Sequence, residues 1–240
     1  MDTIQGLWWG PMTNLEKLSA ASYIAMGHPY HLYTYHKLGG LPNPPAHVVI
    51  KDAEEIVPIT DVGKFRYYAN FADWFRLNLL YQRGGWWCDT DSVCLKPFDF
   101  PEEMVLFRHR RPPGQEQELV VFNAHMKFPA GSSVVKFAID NANKKEWYNV
   151  EWEFSLKALA EAVKKFNLSC YPPDLVIPFP WWEWRKELDP IAPEISPKAY
   201  AVHMWHTEWT MSGLDRDASY PPTCLYERLK MYYKEEMKCR

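Results

Sequence analysis

The stretch from Asn70 to Phe98 constrains the fold more than any other part of the chain. Phe71, Trp74, Phe75, Leu77, Leu79 and Leu80 give a wide apolar surface at helical spacing, so a largely buried helix is predicted over Asn70 to Arg83. Gly84-Gly85 stops it, because glycine enters the left-handed conformation that ends a helix without a Cβ clash. Trp86-Trp87-Cys88 then reads as a buried strand, and the chain emerges into Asp89-Thr90-Asp91 before Val93, Cys94 and Leu95 resume the apolar pattern. An acidic triplet thus stands at the carboxyl end of a strand, the place where open α/β sheets bind their ligands.

The flanking sequence extends the same architecture. Thr3 to Trp9 reads as a first buried strand ending at Gly10-Pro11. Thr13-x-x-Glu16 is a capping box that opens a helix with Leu15, Leu18, Ser22 and Ala25 near one face and Gly27 as terminator. Short strands are predicted at Tyr30 to Tyr35, His47 to Ile50, Met104 to Phe107 and Leu119 to Phe122, with a polar loop from Arg110 to Glu118. Helices are predicted over Ser132 to Asn141, Phe154 to Phe166 and Cys224 to Met237, while the Pro- and Trp-rich stretch from Tyr171 to Trp184 is expected to line a cleft. At 240 residues, with no internal repeat and no linker, the chain is expected to be one α/β domain.

Composition narrows the chemistry. A formal net charge of -3 supplies no positive field for a polyanion, so nucleic acid is not an expected partner. Cys88, Cys94, Cys170, Cys224 and Cys239 are odd in number and scattered, which fits reduced thiols in a cytosolic protein better than a disulfide framework. No apolar run reaches the roughly eighteen residues a membrane span needs. Whether the chain is the luminal catalytic part of a longer parent stays open, and Asn167-Leu168-Ser169 is a glycosylation tripeptide that would matter only there. The C-terminal helix carries basic and apolar residues together, including Arg228, Lys230, Lys234, Lys238 and Arg240, so peripheral contact with a membrane is an alternative to ordinary packing. Aromatic residues make up 16% of the chain, including 12 Trp; flat rings fill cores, and they also stack on sugars and nucleobases.

Two carboxylates at Asp89 and Asp91 repel unless something compensates them, and a divalent cation does so naturally. Hard oxygen ligands suit manganese or magnesium, ions that keep sites free for substrate phosphate oxygens. A cation at that spot stabilises a departing diphosphate more in the transition state than in the ground state.

The context of the triplet carries a resemblance. Ala72-Asp73-Trp74-Phe75-Arg76-Leu77, then Leu80 to Cys88, the acids themselves and Leu95-Lys96-Pro97-Phe98 resemble the sugar-binding region of the DXD glycosyltransferases. These include family 32 with its yeast-type α-mannosyltransferases, the animal α-1,4-galactosyl- and α-1,4-N-acetylglucosaminyltransferases and, more distantly, the clostridial toxin glucosyltransferases. Leu7-Trp8-Trp9-Gly10 and Gly27-His28-Pro29-Tyr30 look like the family's first strand and the turn before its second, and Ala201-Val202-His203-Met204-Trp205 looks like its late metal-site segment. The likeness is strong over residues 70 to 98 and thin from about 100 to 195.

The resemblance implies a GT-A fold, a Rossmann-like single domain with a mixed central sheet, a nucleotide-sugar core over about 1–125 and an acceptor side with the metal-site segment over about 126–240. It also implies manganese, a retaining transfer in which the leaving phosphate helps deprotonate the acceptor, and a glycan or glycolipid acceptor. Asp91 would coordinate the metal directly and Asp89 would contact both the donor ribose and the metal, with His203 as third ligand, His206 and Glu208 being lesser candidates. Asp73 and Arg76 would hold the donor sugar and its phosphate side; Trp8, or Trp9 if the register slips by one, would stack on the base. Asn123 is placed after a strand, touching the reacting sugar or the acceptor, and Trp209 is expected to close over the donor. A UDP-sugar is favoured, with GDP-mannose second. Many members carry Thr/Ser-Gly-Pro where this chain has Trp152-Glu153-Phe154, which leaves the acceptor unspecified. A nucleotidyltransferase and a lectin-like module holding calcium on the same acids remain alternative readings. The first lacks its glycine- or lysine-rich phosphate loop here, and the second lacks the usual six to eight or so oxygen ligands.

Overall fold

A computed structural model describes residues 1–115, 119–143 and 154–239. Its strands are β1 (Ile4–Leu7), β2 (Tyr30–Thr34), β3 (Val48–Asp52), β4 (Gly85–Cys88), β5 (Ser92–Cys94), β6 (Val105–Arg108), β7 (Val121–Phe128) and β8 (Ala201–His203). Its helices are α1 (Asn14–Ala25), α2 (Ile59–Val62), α3 (Tyr68–Arg83), α4 (Ser133–Asn143), α5 (Phe154–Lys165), α6 (His206–Met211) and α7 (Leu225–Tyr232). Six strands form one sheet in the order β3-β2-β1-β4-β7-β6, and β5 pairs with β8 in a separate ribbon. The first four strands of the sheet run parallel, β7 is antiparallel to β4, and β6 at the edge is antiparallel to β7. This is the mixed sheet of a GT-A fold, as expected from the sequence.

Because side chains alternate across a strand, consecutive large residues supply opposite faces. Trp86 packs on Phe98 and Phe100 in the core on the α1 and α7 side. Its neighbour Trp87 meets Phe75 in the core formed with α3, α4 and α5. The Trp-Trp pair therefore reports a strand buried on both faces, as a central parallel strand must be.

At the end of α3, Gly84 has φ +66° and donates its N–H to Leu80 O at 3.0 Å. A Cβ there would lie 2.5 Å from the Ala130 nitrogen, so this helix end demands glycine on two counts.

Several expected boundaries move. The strand expected at Leu119 to Phe122 is β7, which continues to Phe128, so Asn123 stands inside a strand rather than after one. From Tyr171 to Trp184 the chain is not irregular throughout: Trp181–Leu188 is a 3-10 helix that buries Trp184. The C-terminal helix stops at Tyr232, short of Met237, and Arg240 lies outside the described residues. So do Glu116 to Glu118 of the polar loop and Trp152-Glu153. Among the described residues no helix is long and apolar enough to cross a membrane, and all five cysteines are unpaired.

Candidate functional site

Asp89, Thr90, Asp91 and Ser92 form a tight turn between β4 and β5, closed by Ser92 N–H donating to Asp89 O at 3.1 Å. β1 passes beneath it at Gly6, where a Cβ would meet Tyr30 Oη at 2.9 Å and Thr90 Cγ2 at 3.2 Å. The first strand and the acidic turn can approach this closely because Gly6 has no side chain.

Opposite the turn, β8 pairs antiparallel with β5, placing His203 against Ser92. His203 Nε2 lies 3.3 Å from Asp91 Oδ1 and 4.0 Å from Asp89 Oδ2. One potential ligand atom from each of the three residues falls within 4.8 Å of the others. Ligand atoms on one ion with bonds of about 2.1 Å lie about 3 Å apart when adjacent and about 4.2 Å when opposite, a range that includes both His203–carboxylate distances. Two carboxylates and an imidazole are also the donor types that manganese accepts.

A buried guanidinium supports the turn from the other side. Arg76 is 5% exposed. It contacts Asp73 Oδ1 at 3.1 Å and Asp89 Oδ1 at 3.2 Å. Its Nη1 donates to Asn123 O at 2.8 Å, and its guanidinium lies 5.0 Å from the Trp87 ring centre. Asn123 Nδ2 donates to Asp73 Oδ1 at 2.9 Å, and Trp87 Nε1 to Asp89 Oδ1 at 2.6 Å. Burial alone would raise the Asp89 pKa; the Arg76 charge, His203 and the Trp87 hydrogen bond outweigh it and bring the value down to about 2. For His203, burial favours the neutral ring, yet Asp91 and Asp89 overcome that and raise its pKa. A cation bound here would have to displace a proton from His203.

α1 holds the turn from below through polar side chains that are entirely buried. Ser19 Oγ donates to Ser92 O at 2.7 Å, and Ser22 Oγ accepts the Cys94 N–H at 2.8 Å. Tyr23 Oη and Ser92 Oγ approach His125 Nε2 at 3.2 and 2.6 Å. None of these residues was singled out from the sequence as part of a site. In the sequence Ser22 only joins Leu15, Leu18 and Ala25 near one helix face, and Glu16 of the same helix only completes a capping box.

The other predicted residues divide. Trp8 is half-buried, with its ring edge-on to His206 at 5.6 Å. Trp9 is committed elsewhere, packed edge-on against Tyr35, Tyr68 and Phe71. His206 and Glu208 do not join the cluster of possible metal ligands; His206 instead donates its backbone N–H to Asp91 Oδ2 at 2.8 Å. The expectation for Trp209 is corrected. It is fully buried among Trp184, Tyr220 and Tyr226, and its Nε1 donates to Met204 O at 2.8 Å, so the ring is core and cannot fold over a ligand. A separate cavity of about 600 Å³ lies at the amino ends of the strands, lined by Gln5, Arg83 and Lys127, and contains none of the predicted site residues.

Comparison with known proteins points the same way. Residues 33–111 match the family model described as a glycosyltransferase sugar-binding region containing a DXD motif. The lactosylceramide 4-alpha-galactosyltransferase of Pongo pygmaeus is 26% identical over 188 residues, covering 67% of this chain and 82% of that protein. The Homo sapiens protein of the same name is also 26% identical, but the chain spans only 50% of its length. Among solved structures, the PaToxG glycosyltransferase superposes with a TM-score of 0.51 at 15% identity, covering 68% of this chain and 69% of that one, a likeness of fold. The chain is thus similar in sequence to the DXD-motif glycosyltransferases, through residues 33–111 and the galactosyltransferases named, and similar in fold to a solved glycosyltransferase.

Proposed function

We propose that the chain is a metal-dependent, retaining glycosyltransferase. In this reading it moves a hexose or N-acetylhexosamine from a nucleotide diphosphate sugar to a glycan or glycolipid acceptor, with the whole chain acting as one GT-A domain. The observation that carries the reading is the convergence of Asp89, Asp91 and His203 on one point beside the buried Arg76–Asp73 pair. Manganese held there would neutralise the diphosphate and stabilise the charge that grows on it as the glycosidic bond breaks.

The chain's own groups have separable tasks. Asp91 and His203 hold the cation, and Asp89 shares that task while its other side is tied to Arg76 and Trp87. Asp73 and Arg76 orient the donor sugar and its phosphate side, with Asn123 fixing the Asp73 carboxylate. Trp8 stacks on the base, and Trp9, already enclosed by aromatic rings, does not. Retention rests on the family resemblance: the leaving phosphate oxygen takes the acceptor hydroxyl proton while the new bond forms on the same face. The similarity to lactosylceramide 4-alpha-galactosyltransferases supports galactose and a glycolipid as the first pair to try, which makes UDP-galactose the first donor and GDP-mannose the second.

The test is release of nucleotide diphosphate from a panel of UDP- and GDP-sugars, with manganese and with chelator, by the wild type and Asp91→Asn. Manganese-dependent release from one donor, lost in the folded variant, supports the class and names the donor. A folded wild type that neither turns over nor binds any donor under any metal condition refutes it.

A further inference from the structure

One buried charge has no task in the function above. Glu16, in the first turn of α1, has no exposed surface. Its Oε2 accepts from Thr13 N–H at 2.7 Å and from Thr13 Oγ1 at 2.5 Å, which completes the helix cap. Its Oε1 faces two other groups, His206 Nε2 and Arg216 Nη1, each 3.8 Å away. All three atoms are shut off from solvent and none has a hydrogen-bond partner.

A cap alone does not account for this arrangement. Capping glutamates work at the surface, whereas burying a carboxylate costs several kcal/mol unless opposite charge is brought to it. The groups brought to Glu16 belong to the segment that borders the metal cluster. His206 is the residue whose backbone N–H binds Asp91 Oδ2, and its ring edge abuts Trp8. Arg216 lies in the loop that follows α6. That loop is tied to α1 by Asp217 Oδ1 accepting the Asn14 N–H at 2.7 Å, and to α7 by Tyr226 Oη donating to Arg216 O at 2.6 Å. Glu16 therefore faces, on one side, the residue whose backbone binds Asp91 on the other.

We propose that Glu16 is a positioning residue of the metal site: through His206 and Arg216 it pins residues 206–217 onto α1 and so fixes the Asp91 carboxylate and the Trp8 ring in one arrangement. The inference rests on the reading of Asp91 as a metal ligand. Groups behind the ligands of a metal commonly set its affinity, because they decide how a carboxylate is aimed.

The experiment is calorimetric titration of manganese into the wild type, Glu16→Gln, Arg216→Gln, the double variant and Asp91→Asn, with the metal-free Tm of each as the check on folding. Glutamine keeps the shape and the acceptor for Thr13 while removing the charge. Manganese affinity is expected to fall about tenfold in Glu16→Gln. Arg216→Gln should also weaken it, and the double variant should bind no worse than the weaker single, because both act through one contact. If Glu16→Gln does not fold, the Arg216→Gln titration decides, since that side chain lies at the edge of the cluster. Affinities within about twofold of wild type in both single variants, with binding abolished in Asp91→Asn, overturn the pin and leave the metal reading standing. Unchanged manganese binding in Asp91→Asn overturns both.

Discussion

His125 offers a sharp test of how the site is built, because its ring is sealed beneath the acidic turn. It stands on β7, stacked on Phe98 at a ring separation of 5.7 Å, and its Nε2 lies within hydrogen-bond distance of the Ser92 and Tyr23 hydroxyls. Its other ring nitrogen, Nδ1, is buried without a partner. Burial first, then the neighbouring His203 and Arg76, push the pKa of His125 down to about 3, against the pull of Asp89. In the unfolded chain the same side chain titrates near about 6.5. Below that pH the unfolded chain binds a proton that the folded protein refuses, so this contribution to stability is complete above about pH 6.5 and is lost as the pH falls toward the folded value.

At about pH 5 the loss is 1.36 kcal/mol per unit over roughly 1.5 units, or about 2 kcal/mol, and it depends little on where below 4 or so the folded value lies. Other groups titrate in the same range, so the measurement must be a difference. Urea unfolding of the wild type and His125→Gln is compared at about pH 7 and about pH 5 in chelator; glutamine can still accept from Ser92 but carries no titrating group. The wild type should lose about 2 kcal/mol more than the variant between the two conditions, whatever the variant costs at neutral pH. Parallel losses would show that the folded ring takes up its proton, and the sealed network would be refuted.

Arg76→Lys should lower kcat/KM by about tenfold or more, because one ammonium cannot replace the planar fork that reaches Asp73, Asp89 and the Asn123 carbonyl together; full activity in the lysine variant would remove Arg76 from donor positioning. Trp8→Ala should raise the donor KM by about tenfold, since a base stacked on an aromatic ring is worth about 1–3 kcal/mol, with little change in Tm. Trp9→Ala, which empties a place among Tyr35, Tyr68 and Phe71, should instead lower Tm by several degrees; the reverse pattern would move the base to Trp9.

What could be read from the sequence was local. α3, its glycine stop, the double-tryptophan strand and the acidic turn each depend on neighbours a few residues away, and each appears within a residue or two of where periodicity and glycine chemistry put it. The length of β7 escaped because Asn123 and His125 interrupt the apolar signal; one turns to Asp73 and the other is buried. Trp209 misled for the opposite reason. Near a presumed site its ring looked free to stack, and only the folded chain reveals the Met204 carbonyl that satisfies its N–H deep in the core.

The support of the site was hidden by the logic of hydropathy itself. α1 is buried on nearly every side, so it lacks the contrast between a dry and a wet face that marks an amphipathic helix, and nothing in its pattern marks its serines and glutamate as supports of a site. Each of those polar groups is spent on the two short strands and the loop that carry Asp91 and His203. Ser19 and Ser22 take backbone groups of β5, Tyr23 reaches Ser92 through His125, and Glu16 meets His206 and Arg216. β5 and β8 are three residues long and stand outside the main sheet, so ladder hydrogen bonds alone hold them weakly. Side-chain hydrogen bonds from a rigid helix supply what the short ladder lacks. Two carboxylates that repel in the metal-free chain therefore stay aimed at one point, the preorganisation that the proposed metal-assisted departure of diphosphate would require.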